Sequence, residues 1–304
     1  MINISTKQLR IFVAAAKHLN FTRAAEEVHV SPPAISMQIK EIELLVNTPL
    51  FIKEGKTIQL SSAGEYFLNR ARHILQTLNE AEKVIKQLKG ERIEVIRVGI
   101  ISTAQYFVPQ VLKMFRETHG QYKIILDVRN REQLIDLLRD GEIDIAIMGL
   151  VPKEIDTKAY VIGDHPNVFI ASENHPLAKL KKISPQSLND CDLITRETGS
   201  GTRAHMESFI QEHAIQPNIV MEMSRNESII QAVIADLGIS FVSRHTISNE
   251  IRSGQLKVLD IQHTPIVRKW HVVTLNPMSL NRSVELLKDF ILAQSQLLLA
   301  ALEK

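Results

Sequence analysis

Residues 20–46 read NFTRAAEEVHVSPPAISMQIKEIELLV, and their spacing predicts two short helices joined by a tight turn. Asn20 is a good N-cap for the first, in which Phe21, Ala24, Ala25 and Val28 share one face at helical spacing. The second starts at Ser31, a capping residue, with Pro32 near the first helical position, where a missing N–H costs nothing. Ala34, Ile35, Ile39, Ile42 and Leu45 form its inward stripe, leaving Ser31, Pro33, Ser36, Met37, Gln38 and Lys40 more outward. Small residues between the helices, and short neutral side chains at the start of the second, suit entry into a DNA major groove, with Ser36 or Gln38 bonding to base edges. A helical pair packed into an ordinary α domain has the same spacing, so this stretch alone leaves both readings open.

Working outward, Thr6 to Lys17 reads as an opening helix that buries Leu9, Phe12, Val13 and Ala16 and braces the pair. On the other side Pro49 ends the helical pattern, and Leu50–Lys53 and Thr57–Leu60 read as two short strands around Glu54-Gly55. This is a wing, whose Lys53 and Lys56 can reach backbone phosphates or serve simply as solvated surface charges. From Ser62 to Lys89 one long helix is expected, with Phe67, Ala71, Ile74, Leu78, Ala81, Ile85 and Leu88 as its stripe and Gly90 opening a hinge. So small a winged domain cannot cover that stripe. Its narrowness favours a second copy of the helix over the chain's own carboxy-terminal part, which would set two half-sites on a two-fold symmetric operator. The expected organisation is therefore 1–61 as a winged helix-turn-helix DNA-binding domain, 62–90 as linker or dimerisation helix and hinge, and 91–304 as a separate α/β domain.

In 91–304 strand signals (IEVIRVGII, KIILDVR, IDIAIMG, NVFIAS, DLIT, NIVMEM, GISFVS, IVRKWHVVTL) alternate with helical ones, beginning with a helix from Tyr106 to Thr118. The alternation predicts a mostly parallel sheet in two lobes, lobe I about 91–163 and 267–304, lobe II about 164–266. The chain is expected to cross between them near Gly163–Asn167 and to return near Met223–Arg225. Two lobes leave a cleft, and ligands in such sheets lie at strand carboxyl ends and helix amino termini, where free N–H groups favour anions. Ser102 and Thr103, Asn130 and Arg131, and the run Glu197-Thr198-Gly199-Ser200-Gly201-Thr202-Arg203 occupy such places. In that run Gly199 and Gly201 free the backbone to approach an oxyanion, Ser200 and Thr202 add hydroxyls, and Arg203 supplies charge. A flexible turn before a capped helix is the plainer reading. Met148, Asn226, Phe241 and Ser243 would also approach the cleft.

At 304 residues with 44% hydrophobic content the chain can hold two or three cored domains. Its net charge of +2 is small but unevenly spread: 12 Lys and Arg against 8 Asp and Glu through Gly90, 24 against 26 beyond. The basic excess lies with the helix pair, where phosphate contact needs it. Cys191 is the single cysteine, so an intrachain disulfide is excluded and a reducing cytoplasm is expected; neither an export leader nor a membrane span is read in the chain.

FTRAAEEVHVSPPAISMQIKEIE followed by TPLFIKEGKTIQLSSAGEYFL resembles the amino-terminal region of LysR-type transcriptional regulators, and the similarity extends over the whole chain. The family often has Gln at the place of Pro32 and Arg at that of Met37; both replacements remove donors from the reading face. The resemblance implies DNA contact by Arg23, Ser31, Pro32, Pro33, Ser36, Met37, Gln38, Lys40, Lys53 and Lys56. It further implies a two-lobed effector domain similar to periplasmic solute-binding proteins, pairing through the long helix, and a homodimer or, favoured, a homotetramer. ETGSGTR, NREQLIDLLRDGEIDIAIMG and IVRKWHVV narrow it to the branch that regulates Calvin-cycle carboxylase (RuBisCO) operons. That branch implies an activator answering a sugar phosphate, phosphoenolpyruvate or NADPH, with RNA polymerase as a further partner and no resident cofactor.

Catalysis finds no support: eleven His are scattered, HExxH and GxSxG are missing, and His271 reads as a packed strand residue. The rivals are a solute-binding receptor with an adaptor domain, which the missing leader disfavours, and an α/β enzyme with a regulatory domain, which lacks a catalytic constellation.

Overall fold

The computed structural model describes residues 3–54, 57–88, 94–189, 191–276 and 281–302. It divides into two compact units, Met1–Arg92 and Ile93–Lys304.

In the first unit, α1 (Thr6–His18) opens with a capping box in which Ser5 Oγ accepts from the Gln8 backbone and Gln8 reaches back to Ser5. Asn20 caps α2 (Phe21–Glu27), its Oδ1 accepting from the N–H groups of Thr22 at 2.9 Å and Arg23 at 3.2 Å. Next comes α3 (Pro32–Val46). Phe12, Ala24, Ala25, Ile35, Ile39 and Ile42 are buried together; the two alanines let α2 lie close to its neighbours, while Val13 and Ala34 are half-buried. Leu45 departs from its expected place in the stripe and is 43% exposed, because the buried face runs through Ile35, Ile39 and Ile42 to Val46, at spacings of four, three and four, and leaves Leu45 to one side. The wing pairs β1 (Phe51–Glu54) with β2 (Thr57–Leu60), Phe51 opposite Leu60. It is pinned to α3 by Glu43, whose Oε1 accepts from the N–H groups of Leu50 at 2.7 Å and Phe51 at 3.0 Å. Then α4 (Ser62–Leu88) leaves the wing at Gly64, where a Cβ would sit 2.0 Å from the Leu50 carbonyl oxygen. Its beginning is covered, with Phe67, Leu68, Ala71 and Leu75 packed on the core, whereas Ile74, Leu78, Ala81 and Ile85 are exposed. The expected hinge glycine, Gly90, lies outside the described residues, as do Gly55 and Lys56 of the wing.

The second unit holds β3 (Glu94–Ile101), α5 (Val108–Thr118), β4 (Tyr122–Arg129), α6 (Arg131–Arg139), β5 (Ile145–Met148) and β6 (Thr157–Ser172). It continues with β7 (Asp192–Arg196), α7 (Gly201–Glu212), β8 (Asn218–Met223), α8 (Asn226–Ile234) and β9 (Ile239–Ser243). Last come α9 (Ser248–Arg252), β10 (Leu256–Val258), β11 (Ile266–Leu275) and α10 (Arg282–Leu302). The strands form one sheet in the order β4-β3-β5-β11-β6-β9-β7-β8, with β10 also on β6. The sheet is mixed, not mostly parallel: β3 is parallel to β4 and β5, and β7 to β8 and β9, but β11 runs antiparallel to both β5 and β6, and β6 antiparallel to β9. These two long strands join the halves. The chain crosses on β6 and returns on β11; Met223–Arg225 only leads from β8 into α8. Lobe I buries Ile96, Val98 and Ile100 against α5 and α10, and lobe II buries Phe169, Met206 and Phe209 on one face with Val168, Ile229 and Val233 on the other. The first helix of lobe I starts later than its periodicity suggests: Ser102–Tyr106 is a 3-10 turn, and α5 begins after it with Pro109 in its first turn.

Candidate DNA-reading face and effector cleft

The outer surface of α3 is polar, small and open. Ser31, Pro32, Pro33, Ser36, Met37 and Lys40 are exposed, as are Arg23 on α2 and Lys53 on the wing. Gln38 is half-buried, its Nε2 donating to Glu41 Oε2 at 2.8 Å, a carboxylate that also accepts from Gln8 Nε2 at 3.2 Å. Ser31 stands at the N-cap but its hydroxyl makes no capping bond. Pro32 and Pro33 follow it, so two of the donors that a helix start normally offers to phosphate are missing. A polyanion approaching this end of α3 would therefore meet side chains rather than those backbone donors. Met37, 57% exposed, offers an apolar surface suited to a thymine methyl rather than a donor.

In the second unit a narrow cavity of about 30 Å³ lies where the carboxyl ends of the strands of both lobes meet. Lobe I contributes Ile101, Ser102 and Thr103 after β3, Arg129, Asn130 and Arg131 after β4, and Met148, Gly149 and Leu150 after β5. Lobe II contributes His165 from β6, Arg196 and Glu197 from the end of β7, and Ser200, Gly201, Thr202 and His205 from the start of α7. Of the residues expected at the cleft, Ser102, Thr103, Asn130, Met148, Glu197, Ser200, Gly201 and Thr202 thus lie on one wall or the other. Asn130 has a local duty as well, capping α6 through Gln133 N at 2.9 Å.

Five others lie elsewhere. Arg203 is held off the cavity by Glu207, one turn further along α7 at 2.7 Å, and by Glu222 of β8, while its Nη1 donates to the Arg196 carbonyl at 3.0 Å. Phe241 packs into the core of lobe II, its ring 4.8 Å from that of Phe169. Asn226 is buried at the first position of α8, and Ser243 is buried opposite Asn167 across β9 and β6; neither lines the cavity. Gly199 has φ +86°, and a Cβ there would stand 2.8 Å from the carboxyl carbon of Glu132 on α6, so its lack of a side chain makes room for that carboxylate.

Charge on the wall comes from arginines that sequence reasoning either passed over or, for Arg131, noticed only by position. Arg196 is 6% exposed and bidentate to the adjacent Glu197 at 2.8 and 3.0 Å. Arg131 is bidentate to Glu154 at 2.9 and 3.1 Å, which holds the Glu154 carboxyl down at about 2. Arg129 pairs with Asp127 at 3.1 Å. His165 is 3% exposed and lies flat on Trp270, ring centres 3.9 Å apart, with neither ring nitrogen bonded. Burial, reinforced by His245 and His205, drives its pKa well below the ordinary histidine value. His205 is brought down to about 4 by burial and then by Arg268. Nothing in the local pattern announced His165, a polar residue within a long buried strand; the clue available for Arg196 was its place at the end of DLIT.

Residues 6–65 match the bacterial regulatory helix-turn-helix protein, lysR family, and residues 89–296 match the LysR substrate binding domain. The chain belongs to the LysR family. It is 37% identical over 294 residues to the RuBisCO operon transcriptional regulator of Allochromatium vinosum, spanning 97% of both chains. It is 38% identical over 289 residues to the HTH-type transcriptional regulator CfxR of Cupriavidus necator, spanning 95% of this chain and 91% of that one. The solved CcmR regulatory domain of Synechocystis in complex with 2-PG superposes with a TM-score of 0.65 and 34% identity, covering 66% of this chain and 97% of that domain. As a LysR-family chain with a regulatory helix-turn-helix, it is no receptor whose first domain is a mere adaptor. Among the described residues no helix is long and apolar enough to cross a membrane.

Proposed function

We propose that this LysR-family chain is a cytoplasmic transcriptional regulator, acting as an activator of carbon-fixation (RuBisCO) genes. In this reading α3 reads a two-fold symmetric operator in double-stranded DNA through Ser36, Gln38 and Met37, while Arg23, Lys40, Lys53 and Lys56 meet the backbone. The bare stripe of Ile74, Leu78 and Ile85 on α4 pairs with a second copy, giving a homodimer or, through a further interface, a homotetramer. RNA polymerase is the downstream partner.

The cleft then serves as the sensor of a small anionic metabolite: a sugar phosphate, phosphoenolpyruvate or NADPH, with the 2-PG of the CcmR domain as a fourth candidate. The observation that carries this is the convergence of Arg129, Arg131 and Arg196 with the amino end of α7 on one cavity. No residue is assigned a catalytic step. A cavity of about 30 Å³ has room for roughly two water molecules, so a metabolite enters as the lobes part. Control follows if the metabolite binds one arrangement of lobes better than another, the difference in affinity setting the population of DNA-bound forms.

The test is binding of the purified protein to the DNA upstream of its own gene and its divergent neighbour, at fixed salt, with and without ribulose bisphosphate, phosphoenolpyruvate, NADPH and 2-PG. Specific binding that one of these alters in affinity or DNA bend is expected. Specific binding indifferent to all would keep the regulator and remove the carbon-fixation assignment.

A further inference from the structure

The charges around the cleft cancel. Arg129, Arg131 and Arg196 are the cations on its walls, and each is already neutralised, by Asp127, Glu154 and Glu197 respectively. Glu132, against Gly199, adds a further carboxylate at the rim. An anion of charge −2 entering this cavity meets guanidiniums that already have carboxylate partners, and the Arg196–Glu197 pair, 6% and 19% exposed, is costly to break. Yet the wall also holds an imidazole able to become a cation on demand: His165 lines the cavity and has both nitrogens unbonded.

We propose that effector binding in this cleft is proton-linked, with His165 as a specificity-determining residue that takes up a proton as an anionic ligand enters. The inference rests on the anionic-effector reading above and adds its charge balance. The groups around His165 point to it as the acceptor. Beneath it lies Trp270 of β11, whose ring face attracts a cation. His245, which follows β9, is engaged through Nδ1 as the acceptor of Trp270 Nε1 at 3.2 Å. His205 of α7 also lines the cavity but has Arg268 of β11 acting on it, which opposes a second positive charge. Toward β5 the neighbour is Gly149, uncharged, where a Cβ would stand 2.7 Å from His165 Nδ1 and block the ring. Buried and neutral in the free protein, His165 becomes worth protonating once the ligand's negative charge replaces the missing solvent.

The linkage has a definite sign. Binding raises the His165 pKa, so affinity rises as pH falls through the pKa of the complex and levels off below that of the free protein. In that window the slope approaches about tenfold in affinity per pH unit, one proton being bound per ligand. Trp270 is the only tryptophan in the chain and is stacked on the titrating ring, so its emission reports the protonation.

The experiment is calorimetric titration of the full chain with phosphoenolpyruvate, ribulose bisphosphate and 2-PG near neutral pH, in two buffers of different ionisation enthalpy, while Trp270 emission is followed as pH is varied. Uptake of about one proton per ligand, with quenching of Trp270 that grows as pH falls, is the expected result. Both disappear in H165Q, which still binds ligand, more weakly and with little pH dependence, while H205Q keeps them. A ligand that gains its own proton on binding does so in H165Q as well, so uptake unchanged in that variant overturns the proposal. So does ligand binding without proton uptake, which leaves the effector reading standing. Failure of all three ligands to bind removes that reading and this inference with it. Should H165Q not fold, the wild-type emission decides: ligand quenching equal at every pH overturns the proposal.

Discussion

The outer face of α3 and the wall of the cleft are both recognition surfaces, built in opposite ways. On α3 the polar residues stand side by side on one helix, exposed, with the buried Ile35, Ile39 and Ile42 behind them. The cleft wall is assembled from the ends of β3, β4, β5 and β7, the middle of β6 and the start of α7, and its charged groups are tied up in pairs before any ligand arrives. A surface made by one element presents itself to solvent; one made by convergence spends most of its chemistry on itself.

The sharpest way to break that contrast is to attack what lies behind α3. Ile42 is fully buried, so Ile42→Ala is expected to destabilise the first unit by roughly 2–5 kcal/mol and to abolish operator binding at physiological temperature. Leu45→Ala, at a position 43% exposed, should change stability by less than about 0.5 kcal/mol. Urea unfolding followed by circular dichroism distinguishes them, and equal losses would mean that Leu45 is covered in the assembled protein.

In the cleft the corresponding change is Arg196→Gln, which takes a charge-assisted donor from the wall and leaves Glu197 without its bidentate partner. A loss of roughly 1.5–3 kcal/mol in effector affinity is expected, with operator binding preserved. Calorimetry with phosphoenolpyruvate or ribulose bisphosphate measures it; an unaltered affinity would move the effector off this wall. On α3, Ser36→Ala and Gln38→Ala should each remove about 1–3 kcal/mol of discrimination between operator and random DNA. Gln38 must first exchange its bond to Glu41, so its effect should be the smaller. Equal loss on both DNAs would make these residues positioning contacts.

The same contrast explains what the sequence disclosed. Asn20, Pro32 and the isoleucine spacing of α3 act over three or four residues, and so does Asn130 at the start of α6; such local chemistry is visible in a string of letters. The first half of β6 was not visible: TKAYVIGDHPN contains Gly163, Asp164 and Pro166, all poor strand signals, and becomes a strand only because β11, about a hundred residues later, lies against it. That pairing also fixes the crossing between lobes, which is why the return of the chain was misplaced. The arginines of the wall were illegible for a related reason. Arg129 and Arg196 each end a strand, as many surface arginines do, and only the fold turns them toward one another.

Arg203 tests the contrast with the smallest effect. From the motif ETGSGTR it reads as the charge that greets an oxyanion at the start of α7, and on that view its loss would abolish the effector response. In the structure its guanidinium is shared among Glu207, Glu222 and the Arg196 carbonyl, outside the cavity. Both carboxylate partners are more than half exposed, so these pairs stabilise little, of order 0–1 kcal/mol together. Arg203→Ala should therefore shift effector affinity less than about fivefold, through slight loosening of the end of β7 that carries Arg196. Thr202→Val, one residue earlier but on the wall, removes a hydroxyl facing the cavity and should cost more. If Arg203→Ala proves the more damaging of the two, the cleft reorganises on binding far enough to release Arg203 from its carboxylates, and the pairing seen here describes only the resting wall.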